Sequence, residues 1–431
     1  MNEELREAAR AAGKPYLEFL LEGLRSLEVT TGIKRTIFAA CPNSQAVIRA
    51  ALKSAKRNNS PVKFAATLNQ VDDDGGYTGL THKEFVRTIR LQARSLNVRV
   101  PVIIAVDHGG PWLKDLHARE KWSYSATMSA VKKSFEAAIE AGFDLLHVDP
   151  TVDITLTKGS LISIDIVADR TVELIVHAEN FRRSGGYPPI AYEVGTEEVH
   201  GGLADLGTFR RFLDRLKEGL RNEGLTGVWP CFVVGKVGTD LHTTTFDRKV
   251  AAQLVSIAGS YGSLIKGHYS DNVSNPEEYP ASGMGAANVG PEFTEMEYDA
   301  LAELESLQDE LFEQGLIARP AHLLKALERA VIASGRWLKW LHDGENRDDF
   351  FANPPDRREW LIKTCCRYIW EDPGVIAERT RLYQNLYLQG IEASSVVESR
   401  IESAMDRYFF RFNLTGIYTP LLKELSSFRH E

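Results

Sequence analysis

The stretch "VPVIIAVDHGGP", Val100 to Pro111, runs seven mostly apolar, β-branched residues directly into an acid, a histidine, two glycines and a proline. A short apolar run of this kind is typical of a strand buried on both faces of a parallel sheet. The strand ends in two ionisable side chains, Asp107 and His108. The rest of the sequence must explain why a buried strand finishes in groups that carry charge.

Similar short runs recur along the chain and alternate with longer segments of helical period. The predicted strands are residues 35–40, 62–67, 100–106, 144–149, 190–195, 227–234, 263–267 and 285–289. Eight strands alternating with helices predict a parallel sheet closed into a (β/α)8 TIM barrel, with an open doubly wound sheet as the alternative. Only an irregular connection is predicted between the last two strands.

The remaining segments are predicted to be helical. Residues 1–30 mix acids and bases on a helical period and predict an N-terminal helix. Residues 31–295 form the predicted barrel, which carries the metal site. After residue 295 the strand pattern stops, so that residues 296–431 predict a helical C-terminal extension whose many aromatics are attributed to packing.

Composition excludes several classes of partner. The chain has 431 residues, is 43% hydrophobic and carries a formal net charge of -8, and it has no Lys/Arg-rich block of the kind that neutralises nucleic acid. Its apolar runs are far shorter than the roughly 20 residues of a membrane span. The four cysteines show no CxxC pair. These features predict a soluble, cytoplasmic protein with reduced thiols, no nucleic acid and no membrane partner.

Strand ends concentrate ionisable residues, and in a barrel these ends meet in one mouth. Histidines follow strands three, six and seven (His108, His242 and His268), and acids follow strands four and five (Asp149 and Glu197). Three neutral imidazoles in one mouth suit Zn²⁺ or a similar divalent ion, and Asp107 could move protons beside it. Isolated histidines near strand ends are more often structural, so a purely structural role stays open.

Two common nucleotide motifs are missing from the sequence. The segment "GKVGTD" lacks the spacing of a phosphate-binding loop of the G-x-x-x-x-G-K-[ST] type, and "GMGAANVG" does not match G-x-G-x-x-G. Neither ATP binding by a P-loop nor a Rossmann nicotinamide site is supported.

The blocks "FAACPNSQAVIRAAL", "NQVDDDGGYTGLT", "VIIAVDHGGP", "GFDLLHVDPT", "YEVGTEEVHGG" and "IKGHYSDN" resemble, in order, those of a known family. This is the accessory subunit family of class II tagatose-bisphosphate aldolase, which includes ketose-phosphate 4-epimerases. The similarity runs along nearly the whole chain. The family is similar in turn to class II ketose-bisphosphate aldolases, (β/α)8 barrels that bind Zn²⁺ through three histidines.

The resemblance implies a role for each matching residue. His108, His242 and His268 are implied as the metal ligands, Asp107 as the proton-transfer acid and Glu197 as an acid near the metal. The match at His242 preserves little beyond the histidine itself. The implied cofactor is a divalent metal, with Zn²⁺ as the first choice.

Substrate contacts are implied by the loops around the mouth. A looser phosphate site offers Gly267, Ser270 and Asn288 as candidates, because backbone amides in such loops can hold an anion. Asp149 is expected to support substrate or a metal ligand. Hydroxyl contacts are predicted for the loop after strand two, where a structural turn is an equal alternative: Asn69, Gln70, Gly76 and Tyr77.

These residues predict a metal-dependent ketose or ketose-phosphate 4-epimerase, of the tagatose 6-phosphate to fructose 6-phosphate type, that works by retro-aldol chemistry. Aldolase-type cleavage is the second choice of activity. The alternative function is a non-catalytic subunit that stabilises a class II tagatose-1,6-bisphosphate aldolase. The expected partner is a small sugar or sugar phosphate, and both a homo-oligomer and association with an aldolase subunit are left open.

Overall fold

The computed structural model describes residues 2–157, 160–195, 205–240 and 243–427. Eight parallel strands close into a barrel in chain order, with β1 paired to β8. The strands are β1 (Ile37–Ala40), β2 (Val62–Thr67), β3 (Val102–Gly109), β4 (Leu145–Val148), β5 (Ala191–Gly195), β6 (Phe232–Val234), β7 (Leu264–Gly267) and β8 (Ala286–Val289). The predicted (β/α)8 barrel is therefore confirmed.

All eight strands overlap the predicted segments; most begin one or two residues later than predicted, and two larger differences stand out. β6 is much shorter than the predicted 227–234, because Pro230 has no N–H to donate to a neighbouring strand. β3 extends past its predicted end through Asp107 and His108 to Gly109. The second difference matters for function, since it builds both ionisable residues into the sheet.

Helices surround the barrel and continue beyond it. They are α1 (Glu3–Ala11), α2 (Tyr16–Thr31), α3 (Gln45–Arg57), α4 (His82–Ser95), α5 (Asp115–Arg119), α6 (Tyr124–Ala141), α7 (Ile164–Ser184), α8 (Leu206–Asn222), α9 (Arg248–Ser260), α10 (Glu278–Ser282), α11 (Pro291–Glu313), α12 (Leu323–Ser334), α13 (Pro355–Cys365), α14 (Pro373–Tyr387), α15 (Ala393–Arg411) and α16 (Tyr418–Ser427). The connection between β7 and β8, predicted to be irregular, contains the single short turn of α10.

The N-terminal segment forms two helices where one was predicted. Gly13 adopts a left-handed conformation with φ of 66°, and Pro15 precedes the first residue of α2. Both features end a helix, because a left-handed residue reverses the chain and proline lacks the N–H that continues the hydrogen-bond pattern.

The C-terminal helices pack directly on the barrel. α15 lies against α3 and α11, and α16 lies against α2, so that the tail joins the two ends of the sequence. α11 follows β8 as the eighth barrel helix and runs from Pro291 to Glu313, across the predicted domain limit at residue 295. Buried side chains of barrel and tail belong to one hydrophobic core.

Two smaller findings concern the chain as a whole. All four cysteines are free thiols. Within the described residues, no helix combines the length and the hydropathy needed to cross a membrane.

Candidate active site

The end of β3 brings two consecutive side chains to the same place. The register of β3 against β4 shifts between Val106 and Gly109, and His108 has a φ of 47°. Successive side chains of a regular strand point to opposite faces, but a bulge re-aims them. As a result His108 Nε2 lies 4.0 Å from Asp107 Oδ2.

The two glycines after His108 are required by close packing. A Cβ atom on Gly109 would lie 2.4 Å from a ring carbon of Phe135, and one on Gly110 would lie 1.8 Å from the carbonyl oxygen of Asp149. Neither position can hold a side chain without moving the backbone. The glycines thus allow the segment after β4 to approach β3 and to place Asp149 beside His108.

Asp149 holds the imidazole of His108. His108 Nδ1 lies 2.6 Å from Asp149 Oδ2, and Thr151 Oγ1 donates to Asp149 Oδ1 at 2.5 Å. Burial acts to raise the pKa of Asp149, but the hydrogen bond with His108 lowers it overall. Burial acts to lower the pKa of His108, but Asp107 and Asp149 outweigh it and raise that pKa overall. In the neutral ring, with Nδ1–H directed at Asp149, Nε2 is left to a ligand, and a carboxylate behind a histidine is the usual support of a metal ligand.

Four buried charges lie along the barrel axis, and we call them the axis network: Lys63, Asp107, Glu193 and Lys266. Lys266 Nζ lies 3.0 Å from Asp107 Oδ1 and 2.5 Å from Glu193 Oε1, and Lys63 Nζ donates to Glu193 Oε2 at 3.1 Å. Lys266 therefore bridges both carboxylates, whereas Lys63 contacts only Glu193 of the two, and burial lowers the pKa of Lys63. Lys63, Glu193 and Lys266 are completely buried, and Asp107 is 3% exposed.

The lysines decide the ionisation of these acids. Burial acts to raise the pKa of Asp107 and of Glu193, but the Lys266 ammonium opposes it and holds both pKa values well below their usual range. The pKa of Lys266 is raised, because Asp107 and Glu193 outweigh the desolvation of its charge. Asp107 is consequently a carboxylate at neutral pH even though water hardly reaches it.

His147 and His268 complete the cluster around Asp107. His147 Nδ1 accepts the backbone N–H of His108 at 3.1 Å and lies 3.2 Å from both Asp107 Oδ1 and Glu193 Oε1. Burial lowers the pKa of His147, which favours a neutral ring, and its buried Nε2 has no hydrogen-bond partner among the described residues. The ring of His268 lies 4.4 Å from that of His108, centroid to centroid.

Asn288, predicted as a phosphate contact, bonds to Asp107, the predicted proton carrier. Its Nδ2 donates to Asp107 Oδ2 at 2.9 Å, and its backbone oxygen accepts the N–H of Ser270 at 3.1 Å. Asp107 is therefore held by Lys266 on one oxygen and by Asn288 on the other. Asn288 links the end of β8 to the loop that carries His268.

The loop after β2 uses its polar side chains to brace neighbouring loops. Asn69 Nδ2 donates to the carbonyl of Leu113 and its Oδ1 accepts the N–H of Asp115, while Gln70 Nε2 donates to Asn43 Oδ1 at 2.8 Å. The hydroxyl of Tyr77 donates to the same Asn43 oxygen at 3.1 Å. These bonds favour the structural alternative for Asn69 and Gln70. Gly76, in turn, has a left-handed φ of 53°.

The corner between the loops after β7 and β8 contains acids where the sequence predicts phosphate contacts. Gly267 ends β7 and Ser270 is completely buried. Asp271 Oδ1 accepts the backbone N–H groups of Gly290 and Glu292 at 2.8 and 2.9 Å. Those amides begin α11, so the chain's own carboxylate already occupies the place where an anion would bind a helix N-terminus.

Donor groups around His108 fit a divalent metal. His108, His147 and Asp149 lie within ligand distance of one another, and so do Asp107, His147, Glu193 and His268. In the second group the carboxylates are already paired with ammonium groups, which would repel a cation. The available Nε2 of His108, held from behind by Asp149 and adjacent to His268, is the better donor.

Two predicted site residues, Glu197 and His242, lie outside the described residues. The structure brings together Asp107, His108, Asp149, His268 and Asn288 from the other predictions.

The lysines of the axis network were not predicted from the sequence, and neither His147 nor Glu193 was assigned a role. A signal was present for one lysine: Lys266 lies two residues before His268, and alternate residues of a strand share a face. A charged residue inside the buried run "VKFAAT" was the corresponding signal for Lys63.

The chain was compared with known protein families and with solved structures. A family model described as D-tagatose-1,6-bisphosphate aldolase subunit GatZ/KbaZ-like matches residues 26–405. A probable tagatose 6 phosphate kinase from Sinorhizobium meliloti 1021 has a similar fold, with a TM-score of 0.73 and 22% identity over 88% of this chain and 100% of that one. A fructose-bisphosphate aldolase from Campylobacter jejuni aligns over 92% of both chains with 13% identity and a TM-score of 0.48. Since the family model covers most of the sequence, the chain belongs to the GatZ/KbaZ-like family of D-tagatose-1,6-bisphosphate aldolase subunits.

Proposed function

We propose that this chain is a metal-dependent ketose 4-epimerase that interconverts tagatose 6-phosphate and fructose 6-phosphate, or a related ketose pair, by retro-aldol and aldol steps. The observation that carries the proposal is the juxtaposition of an ionised, buried Asp107 with an imidazole, His108, whose Nε2 is presented by Asp149. A protein that acts only as a scaffold has no need of this arrangement.

The chemistry follows from the position of C4. This carbon is not α to the carbonyl of a 2-ketose, so enolisation cannot invert it. Cleavage of the C3–C4 bond leaves the electron pair on C3 as an enediolate and converts C4 into an aldehyde carbon. When the aldehyde rotates and presents its opposite face to C3 before the bond reforms, the configuration at C4 is inverted.

Asp107 is the proposed proton acceptor for the C4 hydroxyl. Lys266 keeps its carboxylate ionised, and Asn288 fixes the orientation of its second oxygen. The same carboxylic acid returns the proton to O4 after the C3–C4 bond reforms, so that protons and electrons balance over the cycle. Glu197 is proposed as a second acid of this site on the basis of the family resemblance.

His108 and His268, with His242, are the proposed holders of the metal. When bound, a divalent ion such as Zn²⁺ supplies Lewis-acid stabilisation of the negative charge that develops on the sugar oxygens. Asp149 orients His108 for this role.

A second function is favoured by the description of the family, which names an aldolase subunit. On this alternative the chain stabilises a separate class II tagatose-1,6-bisphosphate aldolase and has no turnover of its own. Aldol cleavage with release of both fragments is the second choice among activities. Phosphorylation of tagatose 6-phosphate is not proposed, because the sequence has no P-loop motif.

The experiment that tests the proposal uses the purified, metal-loaded chain alone. It is incubated with tagatose 6-phosphate, fructose 6-phosphate and the free ketoses in deuterated water, and the products are identified by NMR. We expect the C4 epimer to form without deuterium at C4, since the C4–H bond is never broken. Asp107→Asn serves as the matched inactive variant.

If no ketose is converted, yet the chain raises the activity or lifetime of a separate class II aldolase, the subunit function replaces the epimerase. Release of ADP together with a bisphosphate product would instead support a kinase.

A further inference from the structure

Arg367 is a buried cation of the helical tail, and within the described part of the chain it has no acidic partner. It lies in the 3-10 turn Cys366–Tyr368 and is 6% exposed. Its guanidinium carbon lies 4.7 Å from the ring centroid of Trp340 and 4.9 Å from that of Tyr368. Among the described residues no carboxylate forms an ion pair with Arg367, whereas two other stacked arginines of the tail are paired, Arg336 with Asp115 and Arg357 with Glu345.

The position of Arg367 is over the mouth of the barrel. Tyr368 packs edge-to-face on Tyr77, with 5.1 Å between ring centroids, and the Tyr77 hydroxyl bonds to Asn43 in the loop after β1. Burial raises the pKa of the Cys41 thiol at the end of β1; Asp107 adds to this rise and Arg367 opposes it. The turn that carries Arg367 therefore lies against the loops that follow β1 and β2.

Leaving this cation without a counter-ion is costly to the folded chain. A buried charge is normally paired, and stacking on two aromatic rings offsets only part of its lost hydration. A guanidinium presents five N–H donors in a planar fork that matches phosphate and carboxylate groups. Rigid aromatic walls hold this fork in place, so its donors are arranged before any ligand binds.

The usual place for an anion in such a barrel is closed. TIM barrels frequently bind phosphate at the loops after strands seven and eight and a nearby helix N-terminus. Here Asp271 takes the N–H groups of Gly290 and Glu292, and the Glu292 carboxylate takes the N–H of Asn272 at 2.6 Å. A phosphate at this corner would face two carboxylates and find these amides already bonded.

Other cations close to the mouth are also engaged. Lys63 and Lys266 pair with Glu193 in the axis network, and Lys114 pairs with Asp72 and Asp74. Of the buried cations named here, Arg367 alone lacks an acid among the described residues.

We propose that Arg367 binds the terminal anionic group of the substrate, a phosphate or a carboxylate, and so places the anion subsite over β1 and β2. The inference rests on the proposed function for its choice of a ketose as substrate. It gives the helical tail a role in recognition and restricts the substrate to ketoses that bear a charged end.

The test measures anion binding by the full chain and needs no turnover. Inorganic phosphate and gluconate are titrated by calorimetry into the wild type, Arg367→Met, Arg367→Lys and Arg357→Met. We expect one of the two anions to bind the wild type, and Arg367→Met to weaken it by about 10- to 100-fold, as expected for hydrogen bonds to a charged group. Arg367→Lys should retain part of the affinity, and Arg357→Met all of it.

Thermal unfolding separates recognition from a structural role. Because Arg367→Met removes a buried charge that has no acidic partner, its melting temperature should equal or exceed that of the wild type. Preferential binding of phosphate indicates a sugar phosphate, and preferential binding of gluconate indicates a sugar acid; both support the proposal.

Unchanged affinity in Arg367→Met, or binding of neither anion by the wild type, would overturn the proposal. A lowered melting temperature in that variant would also overturn it, in favour of a structural role. Anion binding through Arg367 in a chain that converts no ketose would reject the epimerase and leave this subsite standing.

Discussion

Asp107 and Glu193 at the barrel axis and Asp271 in the corner after β7 are all buried acids, yet their pKa values move in opposite directions. The axis acids are held well below their usual range. Burial raises the pKa of Asp271 to about 7, and the nearby carboxylates of Glu292 and Glu295 add to this rise.

The opposite pKa shifts come from the hydrogen-bond and ion-pair partners of these acids, and not from how deeply each acid is buried. Lys266 contacts both axis acids directly, whereas Asp271 is held by two neutral backbone amides. An ammonium group compensates a buried carboxylate, while backbone donors compensate only part of the lost hydration. The axis is therefore built to keep its acids charged, and the corner is built to hold α11 in place.

The largest expected effect comes from removing the charge of Asp107. Asp107→Asn keeps the shape of the side chain but cannot accept a proton, so we expect turnover to fall by about 10²- to 10⁴-fold. The metal content should be unchanged, because the ligands are intact. Steady-state kinetics and elemental analysis measure the two quantities.

The corner supplies the matched control for that variant. Asp271→Asn should retain the turnover of the wild type, since among the described residues its carboxylate bonds to the start of α11. Equal losses in both variants would mean that the axis acid has no special part in the reaction.

The second prediction concerns a variant that removes one positive charge from the axis network. Lys266→Met leaves Asp107 and Glu193 buried without their shared ammonium, so we expect the free energy of unfolding to fall by about 3–5 kcal/mol. Denaturation in urea measures the change. The double variant Lys266→Met, Glu193→Gln should lose less than the single variant, and an equal or greater loss would contradict the network.

The sign of the pH dependence follows from the depressed pKa of Glu193. In an unfolded chain this carboxyl titrates at about 4.3. Its stabilising contribution is therefore present above that value and is lost as the pH falls through the lower pKa of the folded state.

The third prediction concerns the support of His108. Asp149→Asn removes the carboxylate that holds Nδ1, and we expect the affinity for the metal to fall by about 10- to 100-fold. Competition with a chelator measures the affinity. Thr151→Ala, which removes only a hydroxyl donor to Asp149, should have a smaller effect, and the reverse order would be inconsistent with this support.

The smallest effect is expected in the corner and appears as a pH dependence. The pKa of Asp271 is raised to about 7 from an unfolded value of about 3.9, so its ionisation opposes folding. Its contribution to stability is full below the unfolded value and is lost as the pH rises through the folded value. Asp271→Asn cannot ionise, and its free energy of unfolding should change less than that of the wild type between pH 5 and pH 8. Parallel pH profiles in urea denaturation would contradict this account of the corner.

Sequence patterns predicted the fold because strand and helix periods are local. They also predicted that Asp107, His108 and His268 would meet at the mouth of the barrel, because all three lie at the carboxyl ends of strands. Lys63 and Glu193 could not be paired from the sequence, because 130 residues separate them and only the closure of the barrel joins them. Arg367 was not predicted as a site residue, because the aromatic residues of the C-terminal helices were attributed to packing. Two of these aromatic rings, Trp340 and Tyr368, stack on its guanidinium.

In the proposed function the metal binds at the mouth on His108 and His268, while Asp107 and Glu193 stay paired with their lysines. Anomalous diffraction from crystals grown with Zn²⁺ tests this directly. We expect one anomalous peak in contact with His108 Nε2 and His268, with Lys266 still bonded to Asp107 and Glu193. A peak coordinated by Asp107 and Glu193 with Lys266 displaced, or no peak in contact with His108, would contradict it.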